Sequence, residues 1–435
     1  MTQPAGRCHV GVLLLTLSMV GGTVAHATAQ TTAFALFDGS CVADCPPSRI
    51  VEFDLDRGAV VSVVPLPCRG AGLDISADGR YLTWLEACGR NFPYAWSRWA
   101  LDRASGQRVS LGAGAILGMQ SHPSQVRFLW AEGGALVSLT RTGRTSVPMS
   151  GCGASFFLSP DGTRFLQDCV GLSDGITVRD TASGAIVQEF SGALRVHVGG
   201  MALDERGDNL YWGNDVGRDG NLTVFRYSVA TGLLEARYVA TTGNVAGHGP
   251  LVERRSGRVF ARAGGALTAL HPVTLVPLGT VPLSGSYPES MAFHPTRALA
   301  YVVSRSMYGS NSDVLDIVDT VALRVIASVP LEAWPDGLAS FIVAPHPPPP
   351  TTPAATVTSR RVSVAWSSGP KSPAITQYEL EVAVVAGGPA LLTVAVDGLA
   401  LAFDNVPPGT FYVRVRSRNY AGVSAASGEI TVRVR

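Results

Sequence analysis

Lysine is nearly absent from this chain. Lys371 is the only lysine among 34 basic residues, and charged residues occupy only 15% of the 435 positions. With a formal net charge of +1, the chain has no basic field that would hold a polyanion. Nucleic acid is therefore not expected as a partner. The strong preference for arginine is typical of a GC-rich bacterial genome.

Catalytic sequence motifs are also missing. The chain contains no His-Glu-x-x-His, no phosphate-binding loop and no dinucleotide fingerprint. This excludes enzymes built on those motifs, but not enzymes whose sites are assembled from scattered loop residues.

No apolar run is long enough to span a bilayer. The apolar run Val10 to Val20 follows Arg7, and small residues at Ala25, Ala27 and Ala29 suit a signal peptidase. Residues 1–29 are therefore predicted to be a signal peptide. We expect a secreted, monomeric protein, extracellular or periplasmic, with no membrane span.

A repeated unit follows. The stretch Leu73 to Trp84 resembles Phe157 to Leu166 and Met291 to Ser304, because each has an apolar strand, a tight turn and a second strand. Further strands flank turns such as Asp102-Arg-Ala-Ser-Gly106. Repeats of four short strands predict one blade each of a closed ring. Six units are predicted, at 68–112, 115–149, 152–192, 196–243, 246–284 and 287–332.

Two remaining pieces complete a seventh unit. Three strands are predicted at 33–37, 50–55 and 60–65, and a single strand at 337–345. Joining one C-terminal strand to three N-terminal strands would close the ring and remove its exposed edges. The fold predicted for residues 31–345 is thus a seven-bladed β-propeller.

The unit at 291–331 contains Tyr301-Val-Val-Ser and Ile317-Val-Asp-Thr. It resembles the surface-layer type of seven-bladed propeller repeat known by its Tyr-Val-Thr-Asn signature. Units 115–149 and 246–284 depart most from that pattern. The resemblance implies a scaffold rather than an activity.

A proline-rich segment, 346–353, is predicted to be a semi-rigid linker to a second domain at 354–435. The stretch Val406 to Ser424 resembles the fibronectin type III signature. On that resemblance, Tyr412 matches the corner tyrosine, and Trp366 matches the core tryptophan of an immunoglobulin-like β-sandwich. The whole chain is expected to be all-β.

Six cysteines follow the signal peptide, an even number that suits disulfides in an exported protein. Cys68 and Cys152 each precede a first strand, whereas Cys88 and Cys169 each follow a second strand. Those two places lie on the same face of a blade, which predicts Cys68–Cys88 and Cys152–Cys169 bridges. Cys41 and Cys45 would then pair locally.

The same face carries the longest predicted loops, and loops on a rigid scaffold are where binding residues concentrate. The predicted binding residues in these loops are Asn91, Tyr94, Trp96, Asn214, Asp215, Arg305 and Tyr308. Asp215 and Asp219 are weak candidates for a metal site that would prefer calcium; otherwise no cofactor is expected. His197 and His248 are weak candidates for a catalytic base. For each of these side chains, ordinary turn packing is the competing interpretation.

Three functions fit this sequence. The leading hypothesis is a non-enzymatic, exported protein that binds a protein or a carbohydrate at the cell surface through one propeller face. The second is a metal-assisted lyase or lactonase that resembles the streptogramin-lyase type of propeller. The third is a structural component of the cell envelope.

Overall fold

The computed structural model describes residues 31–38, 48–57, 59–88, 96–114, 119–132, 134–140, 142–149, 156–168, 175–191, 198–215, 222–240, 249–305, 314–330, 337–368 and 374–435. All regular structure in these ranges is β-strand. None of the described segments forms a helix that is long and apolar enough to cross a membrane. The predicted signal peptide lies outside these ranges.

Seven four-stranded antiparallel sheets make up the larger part of the described structure. Sheet 1 has β4 (Arg69–Ile75), β5 (Tyr81–Ala87), β6 (Trp96–Asp102) and β7 (Gln107–Gly114). Sheet 2 has β8 (Gln120–Ser121), β9 (Arg127–Glu132), β10 (Ala135–Thr140) and β11 (Gly143–Pro148). Sheet 3 has β12 (Phe156–Leu158), β13 (Arg164–Asp168), β14 (Gly175–Asp180) and β15 (Ile186–Ser191).

Sheets 4 to 6 repeat the same order. Sheet 4 has β16 (Val198–Leu203), β17 (Asn209–Asp215), β18 (Leu222–Ser228) and β19 (Leu234–Val239). Sheet 5 has β20 (Leu251–Val252), β21 (Val259–Ala263), β22 (Ala266–Leu270) and β23 (Pro277–Pro282). Sheet 6 has β24 (Tyr287–Phe293), β25 (Leu299–Arg305), β26 (Val314–Asp319) and β27 (Arg324–Pro330).

The closing sheet joins the two ends of this region. Its order is β28 (Gly337–Val343), β1 (Thr32–Asp38), β2 (Arg49–Asp54) and β3 (Ala59–Pro65), with β28 pairing antiparallel to β1. The predicted combination of one C-terminal with three N-terminal strands is confirmed, as are the approximate limits of the six other units.

The sheets form a closed ring. Each sheet contacts the next, mainly through first strands, and the first strand of the closing sheet contacts both β24 and β4. The first strands are therefore innermost, and outer strands such as β3 are mostly exposed. Apolar clusters fill the spaces between neighbouring sheets: Phe260 of sheet 5, for example, packs with Val302 of sheet 6.

The turns between third and fourth strands show why the five-residue turn pattern recurs. Asp102 accepts the Ala104 N–H at 3.0 Å, and Asp180 accepts the Ser183 N–H at 2.8 Å. Gly106 ends one turn at φ 71° and Gly184 the other at φ 69°, a left-handed conformation that favours glycine.

Residues 354–435 form a smaller unit of two sheets. One sheet contains β29 (Ala354–Thr358), β30 (Arg361–Ala365) and β33 (Ala400–Phe403). The other contains β31 (Gln377–Ala383), β32 (Leu392–Val396), β34 (Gly409–Asn419), β35 (Gly422–Val423) and β36 (Ile430–Val434). Residues of both sheets share one apolar core, which includes Trp366 as expected. Tyr412 is half-buried, and its hydroxyl makes no hydrogen bond with the described residues.

Candidate binding face of the ring

The ring has two faces that differ in what they carry. The second strands of the sheets end at one face of the ring, which we call the disulfide face. Cys68 directly precedes β4 and Cys88 directly follows β5 at this face, and the two are bonded with a Cα–Cα distance of 5.0 Å. The opposite end, which carries the turns after Asp102, Asp180 and Asp319, is the turn face. The predicted Cys68–Cys88 bridge is confirmed; Cys41, Cys45, Cys152 and Cys169 lie outside the described residues.

The predicted site residues fall at the disulfide face, or in loops outside the described structure. Asn214 and Asp215 end β17, and Arg305 ends β25, so their backbones lie at this face, while their side chains are not described. Trp96 begins β6 but is only 7% exposed and packs with Leu85 and Ala87. In this structure its ring therefore packs inside the sheet and offers no stacking surface to a ligand. The other predicted residues lie outside the described ranges: Asn91, Tyr94, His197, Asp219, His248 and Tyr308.

A tryptophan and a glutamate recur near the end of two second strands. The Trp84 indole donates to Glu86 at 2.7 Å, and the Trp130 indole donates to Glu132 at 2.6 Å. Arg108 forms an ion pair with Glu86 and lies 4.1 Å from the centre of the Trp99 ring. These buried polar groups are thus matched within the protein.

The Glu132 carboxylate is shared between two arginines of different sheets. Arg144 of sheet 2 approaches it at 3.0 Å, and Arg98 of sheet 1 at 3.5 Å. Arg98 also lies 5.2 Å from the Trp130 ring centre. These contacts connect sheets 1 and 2 and neutralise the Glu132 carboxylate within the protein.

Glu86 also lies close to the disulfide. Its carboxylate and the two sulfur atoms fall within 4.8 Å of one another. Because the sulfurs are bonded to each other, they are not thiolate ligands for a metal. This group therefore supports the disulfide interpretation of Cys68 and Cys88 over a metal site.

One titratable group of the inner strands was missed by the sequence analysis. Asp74 in β4 accepts the Ile75 N–H at 2.7 Å and the Ser121 N–H of sheet 2 at 2.5 Å. Burial raises the pKa of Asp74 to about 6, although these two hydrogen bonds act in the opposite direction. A carboxyl group that titrates near neutral pH beside the ring centre is a candidate acid or base. The Leu73-Asp-Ile alternation in an innermost strand is the sequence signal that points to it.

The described histidines lie at the turn face. Backbone N–H groups of Ser124 and Gln125 donate to Nδ1 of His122 at 3.3 and 3.2 Å. Those of Thr296 and Arg297 donate to Nδ1 of His294 at 3.1 and 2.9 Å. Both rings hold hairpin turns between a first and a second strand.

The smaller unit docks on the turn face. Tyr420 donates its backbone N–H to the Asp78 carbonyl at 2.8 Å and accepts from Arg103 Nη1 at 3.1 Å. Ala421, which is 6% exposed, joins an apolar cluster with Phe34 and Trp84 of the ring. A cleft of about 250 Å³ adjoins this contact and is lined in part by Glu52, Ser62, Arg103 and Tyr420. The described C-terminal contacts with the ring thus leave the disulfide face uncovered.

A closed ring of four-stranded antiparallel sheets with the first strand innermost is a β-propeller. The predicted all-β propeller fold is confirmed. The described structure shows the architecture; it does not by itself assign a ligand or a reaction.

Solved structures share this architecture at low sequence identity. A candidate 6-phosphogluconolactonase from Bacteroides fragilis is 16% identical, with 73% of this chain and 99% of that chain covered at a TM-score of 0.50. TolB from Acinetobacter baumannii is 13% identical, with 72% and 66% covered at a TM-score of 0.43. The β-propeller domain of Cps50 (Swd1) from Myceliophteria thermophila is 18% identical, with 65% and 95% covered at 0.43.

The sequence matches no protein-family model, and no curated protein matches it significantly. At identities of 13 to 18%, the structural likeness concerns the fold alone.

Proposed function

We propose that this chain is an exported binding or scaffold protein whose disulfide face recognises a protein or a glycan at the cell surface. In this proposal the ring is a seven-bladed propeller of the Tyr-Val-Thr-Asn type, and residues 354–435 are a fibronectin type III module. The mature protein is a soluble monomer outside the cytoplasm, extracellular or periplasmic.

The observation that carries the proposal is the position of the C-terminal unit. Tyr420 and Ala421 pack on the turn face, so the face with the long sequence loops stays accessible. The Cys68–Cys88 bridge fixes the base of one of those loops, and a structural disulfide suits an oxidising compartment. The Arg98–Glu132 pair connects sheets 1 and 2 beneath the loops.

Cosedimentation tests the proposal. The purified mature protein is mixed with envelope fragments from the cells that produce it, and the bound fraction is measured. A variant with loop 89–95 replaced by a glycine-serine linker of equal length should bind much less. A variant with the exposed turn residues Ala230 and Thr231 replaced by glycine and serine changes the opposite face and should bind as the wild type does.

Treatment of the fragments identifies the partner class. Loss of binding after glycosidase digestion indicates a glycan, and loss after protease digestion indicates a protein. Equal binding by both loop variants would contradict recognition through the disulfide face. Failure of the wild type to bind at all would favour the structural-component hypothesis.

The second candidate function is a metal-assisted lyase or lactonase, and Asp74 is the observation that favours it. Its raised pKa suits a general acid or base near pH 6. The similar structure from Bacteroides fragilis bears a lactonase name, which motivates δ-gluconolactone as the first substrate to assay. Turnover by the wild type that is lost in Asp74→Asn would support this function; equal rates in both proteins would contradict it.

A further inference from the structure

Arg262 is a buried arginine to which the described residues offer no matching group. It is the fourth residue of β21 and is only 5% exposed. Its Nε and Nη1 atoms are buried and have no hydrogen-bond partner among the described residues. Burial lowers the pKa of Arg262 to about 10, so the guanidinium still carries its charge at neutral pH. An isolated buried charge costs several kcal/mol unless something compensates it.

Another buried arginine of the ring shows how the chain normally solves this problem. Arg98 is 1% exposed, and its Nε and Nη2 also lack hydrogen-bond partners among the described residues, but Glu132 lies 3.5 Å from its Nη1 and balances its charge, and the Ala113 carbonyl lies 3.3 Å away. The Trp130 ring also covers its guanidinium. Arg262 has no carboxylate, carbonyl or aromatic ring in a comparable position among the described residues.

A second unmatched polar group points into the same space between sheets 5 and 6. Ser304 of β25 is fully buried, and its Oγ has no hydrogen-bond partner among the described residues. Phe260 and Val302 pack together in one cluster between these sheets. Side chains alternate between the two sides of a strand. Arg262 therefore lies on the same side of β21 as Phe260, and Ser304 lies on the same side of β25 as Val302. Each is two residues nearer the disulfide face.

The chemistry of the pair selects the ligand. A guanidinium offers several donors that fit a carboxylate, and a serine hydroxyl adds one more. A singly charged carboxylate would balance the single charge of Arg262, whereas a doubly charged phosphate would leave an excess negative charge in a buried place. We propose that the space between sheets 5 and 6, next to Arg262 and Ser304, binds the carboxylate of a small organic acid or of an acidic sugar.

Thermal unfolding of the intact mature protein tests this site. Sodium acetate and sodium glucuronate each replace sodium chloride at constant ionic strength and pH 7. A ligand that binds only the folded state raises Tm with its concentration. Stabilisation by both anions indicates a site for small acids in general, and stabilisation by glucuronate alone indicates an acidic sugar.

Variants locate the effect. Arg262→Met should weaken the apparent affinity by at least about 30-fold, since truncating one side of a buried charge contact costs at least about 2 kcal/mol. Ser304→Ala should weaken it less. Arg237 is an exposed arginine of β19 in the neighbouring sheet, so Arg237→Met is the matched control and should respond to acetate and glucuronate as the wild type does.

Two results would overturn the proposal. One is a wild-type Tm that responds to the carboxylates no more than to chloride, and the other is an equal response in Arg262→Met. Glu289 in β24 has a side chain outside the described structure, so Glu289→Gln is also measured. A response that appears only in Glu289→Gln would show that the chain supplies its own carboxylate and would also overturn a ligand site.

Discussion

Acid should destabilise this protein over a defined pH range, because three buried histidines resist protonation. His122, His294 and His346 are 4 to 7% exposed. Burial lowers the pKa of His122 to about 4, of His294 to about 3 and of His346 to about 4. In the unfolded chain each would titrate near about 6.5. Below that pH the unfolded state binds three more protons than the folded state, so stability falls as pH falls.

Asp74 acts in the opposite direction. Its folded pKa of about 6 lies above the unfolded value, so between those values the folded state holds one proton that the unfolded state lacks. The net difference is about two protons between roughly pH 6 and 4.5. At about 1.36 kcal/mol per proton and pH unit, the free energy of unfolding should fall by about 2.7 kcal/mol per pH unit in this range.

Urea denaturation at several pH values measures that slope. His294→Asn removes one titrating group, while the amide oxygen can accept the same two backbone N–H groups. The slope of this variant should be shallower by about 1.4 kcal/mol per pH unit. His271 is exposed in the turn of sheet 5, and its Nδ1 accepts two backbone N–H groups at 3.2 and 3.3 Å. His271→Asn is therefore the matched control for the loss of a turn histidine.

A wild-type slope near zero, or one of opposite sign, would refute the reasoning about buried neutral histidines. An unchanged slope in His294→Asn would refute the role of His294 while leaving His122 and His346 to explain the acid sensitivity.

Three further predictions concern stability and docking. The free energy of unfolding of the double variant Cys68→Ser/Cys88→Ser, measured in urea, should be lower by about 3 kcal/mol, since the bridge closes a loop with a sequence separation of 20. An unchanged urea midpoint would contradict this. Asp102→Ala should lower the free energy of unfolding by about 1 to 3 kcal/mol in the same assay, because the carboxylate accepts hydrogen bonds from Arg80 Nε at 2.9 Å and Nη2 at 2.6 Å. Full stability would show that the Arg80 pair contributes nothing. Ala421→Arg should separate the smaller unit from the ring and increase the radius of gyration in small-angle scattering. Val385→Arg, at a position 63% exposed in the same unit, should not.

The repeat was predictable because its turns have strong local chemistry. Asp or Ser at the first position and Gly at the fifth position mark the turns of sheets 1, 3 and 4, where the glycines have φ near 70°. In sheets 5 and 6 the fifth position is Leu275 at φ 55° and Leu323 at φ 51°. Their side chains pack in the apolar clusters, which explains how a leucine is kept in a conformation that favours glycine.

The candidate sites were less predictable than the fold, because they depend on contacts between distant segments. Asp74 and Ser121 meet only when sheets 1 and 2 come together, and the sequence separation hides their hydrogen bond. Arg262 occurs in Val-Phe-Ala-Arg-Ala, a strand that is buried at every position. An arginine in such a strand is itself a sequence signal of an unusual site, since charged residues are almost never fully buried without a partner.

Close packing fixes the proline-rich segment against the smaller unit. The Asn419 amide donates to the Pro345 carbonyl at 2.7 Å, just before this segment, and Ser417 donates to the Pro348 carbonyl within it. A Cβ atom at Gly79 would lie 2.7 Å from the Ala421 nitrogen, and one at Gly422 would lie 2.6 Å from the His346 ring. Both glycines are therefore needed for the two units to approach so closely. Polyproline propensity describes an isolated segment, whereas these contacts are made by residues 74 and 69 positions away in sequence. The described contacts of the smaller unit lie on the turn face, and none of them covers the opposite end of the ring.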